Sequence, residues 1–127
     1  MTRVFDASAV LAALFDEPGS DRVIALWAEG ENMISTVNYA EVVSKLAERG
    51  MTDAEILIVM EGVPLQIDEF DQATAHAAGL LRASTKALGL SLVDRACLAL
   101  AKMRDAQAVT ADKIWKKQKG FDVVVIR

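Results

Sequence analysis

A chain of 127 residues with 53% hydrophobic and 25% charged side chains can bury a core without disulfides or a structural metal, so the length predicts one domain over residues 1–127. Cys97 is the only cysteine, which excludes an internal disulfide, and the longest apolar runs fall short of a membrane span. The net charge of −4 opposes approach to a polyanion unless a cation or a local basic patch intervenes. The opening residues MTRVFDASAV have neither the apolar stretch nor the small-residue cleavage site of a secretory signal, so the expected compartment is the cytoplasm.

Short β-rich runs alternate with longer helical stretches along the chain. A strand at Arg3 to Phe5 leads into a helix from Ala7 to Phe15, whose Val10, Leu11 and Leu14 share one face, and Pro18 and Gly19 close the unit. A second helix, Ser20 to Ala28, places Val23, Ile24 and Trp27 at helical spacing, and Gly30 ends it before a strand at Met33 to Ser35. The third helix, Val37 to Arg49, stops at Gly50, and Thr52 with Glu55 has the spacing of a capping box for a fourth. A strand at Val63 to Ile67 precedes a long Ala-rich helix, Asp71 to Leu88, ended by Gly89. Ser91 caps an apolar helix from Leu92 to Met103. A strand at Gln107 to Val109, a short helix at Lys113 to Lys117 and a strand at Val123 to Ile126 complete the chain. This alternation predicts an α/β protein, a parallel sheet covered by helices on both faces.

In a doubly wound sheet, residues that follow strands meet at the carboxyl edge, in the crevice where strand order reverses. Asp6 and Asp112 follow strands, Glu41 lies about one turn into the helix after the second strand, and Asp94 sits in the first turn of its helix. Taken singly, each has an ordinary reading: Asp6 and Asp94 as stabilisers of helix N-termini, Glu41 as an exposed helix residue. The neighbours change the weighting. Asp6 follows Val4 and Phe5, Glu41 is embedded in YAEVV, and Asp94 lies between SLV and ACLALA, where an uncompensated charge is costly. Like charges brought together repel unless a proton or cation intervenes, so the pattern suggests a metal site. Hard oxygen ligands suit Mg²⁺ or Mn²⁺, whereas one histidine and one cysteine cannot build a zinc site.

The strings VFDASAV, NYAEVV, LSLVDRACLALA and VTAD, in this order and spanning the chain, resemble the four motifs of the PIN domain, most closely the single-domain ribonuclease toxins of the VapBC type. The resemblance implies a three-layer α/β/α sandwich on a central parallel five-stranded sheet of order 3-2-1-4-5. It implies a metal-dependent endoribonuclease, the toxin of a type II toxin–antitoxin system, that forms a homodimer and is bound by a cognate antitoxin. Carried over residue by residue, it makes Asp6, Glu41, Asp94 and Asp112 the acidic quartet that holds Mg²⁺ or Mn²⁺. Asp6 and Asp94 would be the principal ligands, Asp112 would complete the shell directly or through water, and Glu41 would orient or deprotonate the attacking water. Ser8 and Thr110 match small hydroxyl positions, and Asn38 matches a polar position lining the pocket. Val93 departs from the pattern, since many relatives have a small residue before this aspartate.

Other features are weighed against plainer readings. Lys113, Lys116, Lys117 and Lys119 offer phosphate contacts beside an acidic cleft or form a solvated face. Arg95 restrains a carboxylate, meets RNA or makes a surface ion pair. His76 reads as a structural histidine, Cys97 as a buried small hydrophobe, and Trp27 and Trp115 as core or interface anchors. Apolar residues in excess of one helix face, including Leu46, Ile56, Leu57 and Met60, suggest either a partner surface or a larger core. Two other functions compete with the nuclease. A catalytically weak PIN-like RNA- or protein-binding module would lack an acid, and this chain lacks none. An aspartate-nucleophile phosphatase would want a second aspartate where Ser8 stands.

Overall fold

The computed structural model describes residues 1–127. Five strands, β1 (Thr2–Phe5), β2 (Glu31–Ser35), β3 (Gln66–Asp68), β4 (Gln107–Thr110) and β5 (Val123–Val125), form one sheet in the order β3-β2-β1-β4-β5. Every neighbouring pair is parallel, with Val4 of β1 in register with Met33 of β2 and Ala108 of β4. Seven helices flank it: α1 (Ala7–Leu14), α2 (Ser20–Trp27), α3 (Thr36–Glu48), α4 (Asp53–Gly62), α5 (Gln72–Leu80), α6 (Arg82–Thr85) and α7 (Leu92–Met103). The expected three-layer α/β/α architecture and its strand order are those observed.

The two-residue period of the strands divides the core into two layers. Phe5, Ile34 and Val109 pack with Val10, Val42 and Leu46 of α1 and α3 on one face. Their neighbours Val4, Met33 and Ala108 point the other way, onto Leu98 and Leu100 of α7 and Trp115. Because both faces are covered, the inner strands read as continuous apolar runs. Trp115 is fully buried and is a core residue, while the partly buried Trp27 packs against the core and meets the Phe5 ring edge-on at 6.1 Å. Most of the apolar surplus is core too: Leu46, Ile56 and Met60 are buried, while Leu57 and its neighbour Ile58 remain exposed on α4.

Two expectations are corrected. The third strand begins at Gln66 rather than Val63, because Val63 closes α4 with its N–H bonded to the Met60 carbonyl and Pro64 has no N–H to give a ladder. The helix expected over Asp71 to Leu88 is three pieces: α5, α6 and a 3-10 turn at Lys86–Leu88. At the break, the Leu81 carbonyl accepts the Thr85 N–H at 3.1 Å and in addition the hydroxyls of Ser84 and Thr85, at 3.3 and 2.7 Å, a back-bonding that bends a helix. The Ala-rich composition favours helix but does not encode this bend.

The turn before α2 needs glycine for two reasons. Gly19 has φ 93°, and a Cβ there would lie 2.8 Å from the Ile126 carbonyl oxygen. The chain after β5 therefore closes directly on the α1–α2 turn.

Candidate active site

The order of the strands reverses between β1 and β4, and the chain leaving each strand at this point turns at once into a helix. Asp6 ends β1 and is the N-cap of α1. Its N–H still donates to the Val109 carbonyl at 3.0 Å, while its Oδ1 accepts from the Ala9 N–H at 2.9 Å. The Ser8 hydroxyl lies 2.7 and 2.9 Å from its two oxygens, and Thr110, at the end of β4, donates to Oδ2 at 2.6 Å. The hydroxyls are themselves fixed: Ser8 accepts from the Ala111 N–H at 2.9 Å and Thr110 from the Asp112 N–H at 3.0 Å. The carboxylate is thus clamped across the reversal point by groups from both central strands.

Burial raises the Asp6 pKa from 3.8 to about 6, and the charge of Asp94 adds to the rise, against the lowering effect of the bonds from Thr110, Ala9 and Ser8. Asp94 lies at the third position of α7 in a capping box: Ser91 Oγ accepts from the Asp94 N–H at 3.2 Å, and Asp94 Oδ2 accepts from the Ser91 N–H at 2.9 Å. Its other oxygen accepts no hydrogen bond. Glu41, on α3, is pushed above its ordinary pKa by burial and then by Asp94, while Lys45 one turn later draws it back. Asn38, one turn before Glu41, donates to the Val93 carbonyl at 3.3 Å and has a buried Oδ1 without a partner. Val93, the departure from the usual small residue, therefore contributes its backbone to joining α3 with α7.

Asp6, Glu41 and Asp94 share one electrostatic environment, with Ser8, Thr110 and Asn38 around them. Asp112 differs. It is exposed, its Oδ1 accepts from the Ile114 N–H at 3.0 Å, and it caps the 3-10 helix Lys113–Lys117, linked to the others through its own N–H and Thr110. No three His, Cys, Asp or Glu side chains are gathered closely enough to form a finished metal cage, so an ion would require side chains to turn toward it. Asp6, Asp94 and Asp112 each sit at a helix N-terminus, where backbone N–H groups and the helix dipole offset negative charge. The plain capping role and the gathering of acids therefore coexist, and part of the repulsion is relieved without any cation.

Arg95 donates to the Ala78 carbonyl at 3.0 Å and makes no ion pair with Asp94. His76 is exposed on α5. Cys97 lies behind the acids on α7, with Sγ 3.8 Å from the Val4 carbonyl oxygen, and burial, Asp6 and Asp94 hold its thiol well above the usual pKa. The residue missed from sequence is Lys45, though its i,i+4 spacing from Glu41 was there to read. Beside the acids a groove of about 500 Å³ opens between Ser8, Leu11, Lys45 and Arg49, and the Arg49 guanidinium stacks 4.0 Å over the Phe15 ring.

Comparison with known proteins gives the same frame. No curated protein matches the sequence. Among solved structures, a toxin–antitoxin complex from Klebsiella pneumoniae is 23% identical with a TM-score of 0.77, covering 98% of each chain. VapBC2 from Rickettsia felis, bound to a promoter DNA fragment, is 18% identical with a TM-score of 0.76, also over 98% of each chain. Mycobacterium tuberculosis VapC20, described as a Sarcin-Ricin loop cleaving toxin, is 18% identical with a TM-score of 0.74, covering 94% of this chain and 95% of that one. At these identities the likeness is one of fold. The PIN domain family model matches residues 3–120, nearly the whole chain, and the protein belongs to the PIN domain family.

Proposed function

We propose that this chain, as one PIN domain over residues 1–127, is a Mg²⁺- or Mn²⁺-dependent endoribonuclease that hydrolyses RNA phosphodiester bonds, the toxin of a type II toxin–antitoxin system. The observation that carries the reading is Asp6: a buried carboxylate clamped at the strand-order reversal and electrostatically coupled to Asp94, which is coupled in turn to Glu41. The donor set fits a hard divalent ion. It is all oxygen, it leaves one Asp94 oxygen and the Glu41 carboxylate without hydrogen bonds, and it includes the orphaned Asn38 Oδ1. Asp6 and Asp94 would hold the ion, with Asp112 joining directly or through water.

Bound there, a divalent ion supplies positive charge that offsets both the carboxylates and the entering phosphodiester. Asp6 is held still by Ser8, Thr110 and the Ala9 N–H, so its position does not have to be organised during the reaction. Glu41, with raised proton affinity, takes the proton of the attacking water as the new oxygen–phosphorus bond forms, and the departing ribose oxygen is protonated from solvent as its bond to phosphorus breaks. Ser8 and Thr110 act on the carboxylate rather than on phosphate, while Asn38 fixes α3 against α7 and so sets where Glu41 stands.

One solved structure of similar fold is described as a toxin–antitoxin complex and another as a member of a family of toxin–antitoxin systems, which supports a cognate antitoxin as partner. The exposed Leu57 and Ile58 on α4 supply apolar surface for a homodimer or that antitoxin. No helix is long and apolar enough to cross a membrane. The compartment proposed for this activity is the cytoplasm.

Purified protein incubated with labelled RNA and Mg²⁺ or Mn²⁺ tests the reading. Asp6→Asn and Asp94→Asn should each lower cleavage by roughly 10²-fold or more while the circular dichroism spectrum is kept. Undiminished cleavage in both variants would overturn it. RNA binding by the parent chain with no metal-dependent cleavage would favour instead a catalytically weak PIN-like binding module.

A further inference from the structure

Charge in this protein is segregated. Residues 72–93 and 113–121 hold six of the 14 lysines and arginines, Arg82, Lys86, Lys113, Lys116, Lys117 and Lys119, and none of the 18 aspartates and glutamates. The two segments are neighbours in space. The 3-10 turn Lys86–Leu88 packs on the 3-10 helix Lys113–Lys117, and Gln118 Nε2 lies 3.4 Å from Ser84 Oγ across the seam. Between them runs a groove of about 620 Å³, with Leu81, Leu88 and Phe121 along it and Lys117 and Lys119 at its rim, and no acid lines it.

All six cations are exposed, and none is in an ion pair. Like charges left unpaired on one face of an otherwise acidic molecule repel each other, and an anionic partner removes that cost. The face also begins at the acids: Lys113 follows Asp112, whose N–H donates to the same Thr110 hydroxyl that clamps Asp6. Two hydrogen bonds therefore join the carboxylate cluster to the start of the lysine run.

We propose that this acid-free basic face is the track for the RNA backbone, with Lys116, Lys117 and Lys119 contacting phosphates of the strand outside the cleavage site. The assignment rests on the nuclease reading above and adds the means by which a chain of net charge −4 holds a polyanion. Exposed lysine ammonium groups on flexible stems suit sequence-independent phosphate contact, and aromatic or apolar side chains along the groove accept bases. Selectivity for one RNA then arises elsewhere on the surface.

The test is fluorescence anisotropy with a labelled single-stranded RNA in metal-free buffer, at several KCl concentrations, on the parent protein and on the triple variant Lys116→Gln, Lys117→Gln, Lys119→Gln. Each lost phosphate contact should lower the slope of log affinity against log salt by about 0.7, so the triple variant loses about two units of slope and roughly tenfold or more in affinity near 0.1 M salt. The triple Lys→Arg variant should bind as the parent does, and Arg22→Gln, on the exposed side of α2, should change nothing. Equal affinity and slope in the Gln variant and the parent overturn the proposal, and that is also the result if the face instead docks an acidic protein. A parent that cleaves RNA with the same KM as the Gln variant sinks the track alone. A parent that neither binds nor cleaves RNA sinks the nuclease reading with it.

Discussion

Asp6 is a carboxylate whose surroundings favour the proton, so the metal-free protein holds a destabilising charge at neutral pH. With the folded pKa at about 6 and the ordinary value at 3.8, the folded chain binds more protons than the unfolded chain between these limits. This contribution to stability is complete below pH 3.8 and is lost as pH rises through about 6, an effect of roughly 3 kcal/mol for a shift of this size. Urea denaturation of the metal-free protein should therefore show Asp6→Asn gaining on the parent as pH is raised from 5 to 8, and Mg²⁺ should narrow the difference by stabilising the parent. A parent whose stability relative to Asp6→Asn is independent of pH contradicts the burial argument. At this scale the sequence was readable for the acids, because Val4, Phe5 and the ACLALA run mark apolar neighbourhoods. The clamp was not readable: that Ser8 and Thr110, 102 residues apart, close on one carboxylate depends on β1 and β4 lying side by side.

Two helices open with the same device and put it to different uses. Thr52 and Glu55 form a capping box on α4 that holds no candidate ligand, while Ser91 and Asp94 form one that also orients a candidate ligand. Thr52→Ala and Ser91→Ala should each cost about 1 kcal/mol in chemical denaturation. Only Ser91→Ala should weaken Mg²⁺ binding measured by calorimetry, since it releases the Asp94 backbone from its anchor; equal metal affinity in both variants would contradict the dual role. The Thr52 box and the Ser91 cap are legible because a hydroxyl residue before an apolar helix is a local pattern, whereas the return bond from Asp94 to the Ser91 N–H was not read. The break after α5 is not legible, since the added hydroxyl bonds to the Leu81 carbonyl come from residues that all tolerate a helix. The start of β3 was misjudged for a related reason: apolar Val63 and Leu65 look like strand, but Pro64 between them cannot join a ladder.

At the scale of the whole molecule the candidate site acids lie at the strand-reversal edge, six unpaired cations lie on the two packed segments beside them, and α4 exposes Leu57 and Ile58 side by side. For the proposed homodimer the α4 patch is the expected seat: Leu57→Asp with Ile58→Asp should shift light scattering toward the monomer mass and leave the denaturation midpoint nearly unchanged, Leu57 being half exposed and Ile58 largely so. An unaltered mass would contradict a homodimer seated on α4. The parallel sheet covered on both faces followed from chain-wide alternation and the strand order from the resemblance to the PIN domain, whereas the pairing of Lys86–Leu88 with Lys113–Lys117 is a product of packing alone. Cys97 brings these scales together. Its thiol, sealed between β1 and α7 behind two carboxylates, has neither the exposure nor the ionisation that alkylation requires. The only thiol in the chain is therefore a built-in clock for opening of the core: its rate of reaction with a disulfide reagent should follow the unfolding equilibrium, slow on Mg²⁺ binding and quicken in Ser91→Ala, with no added label needed.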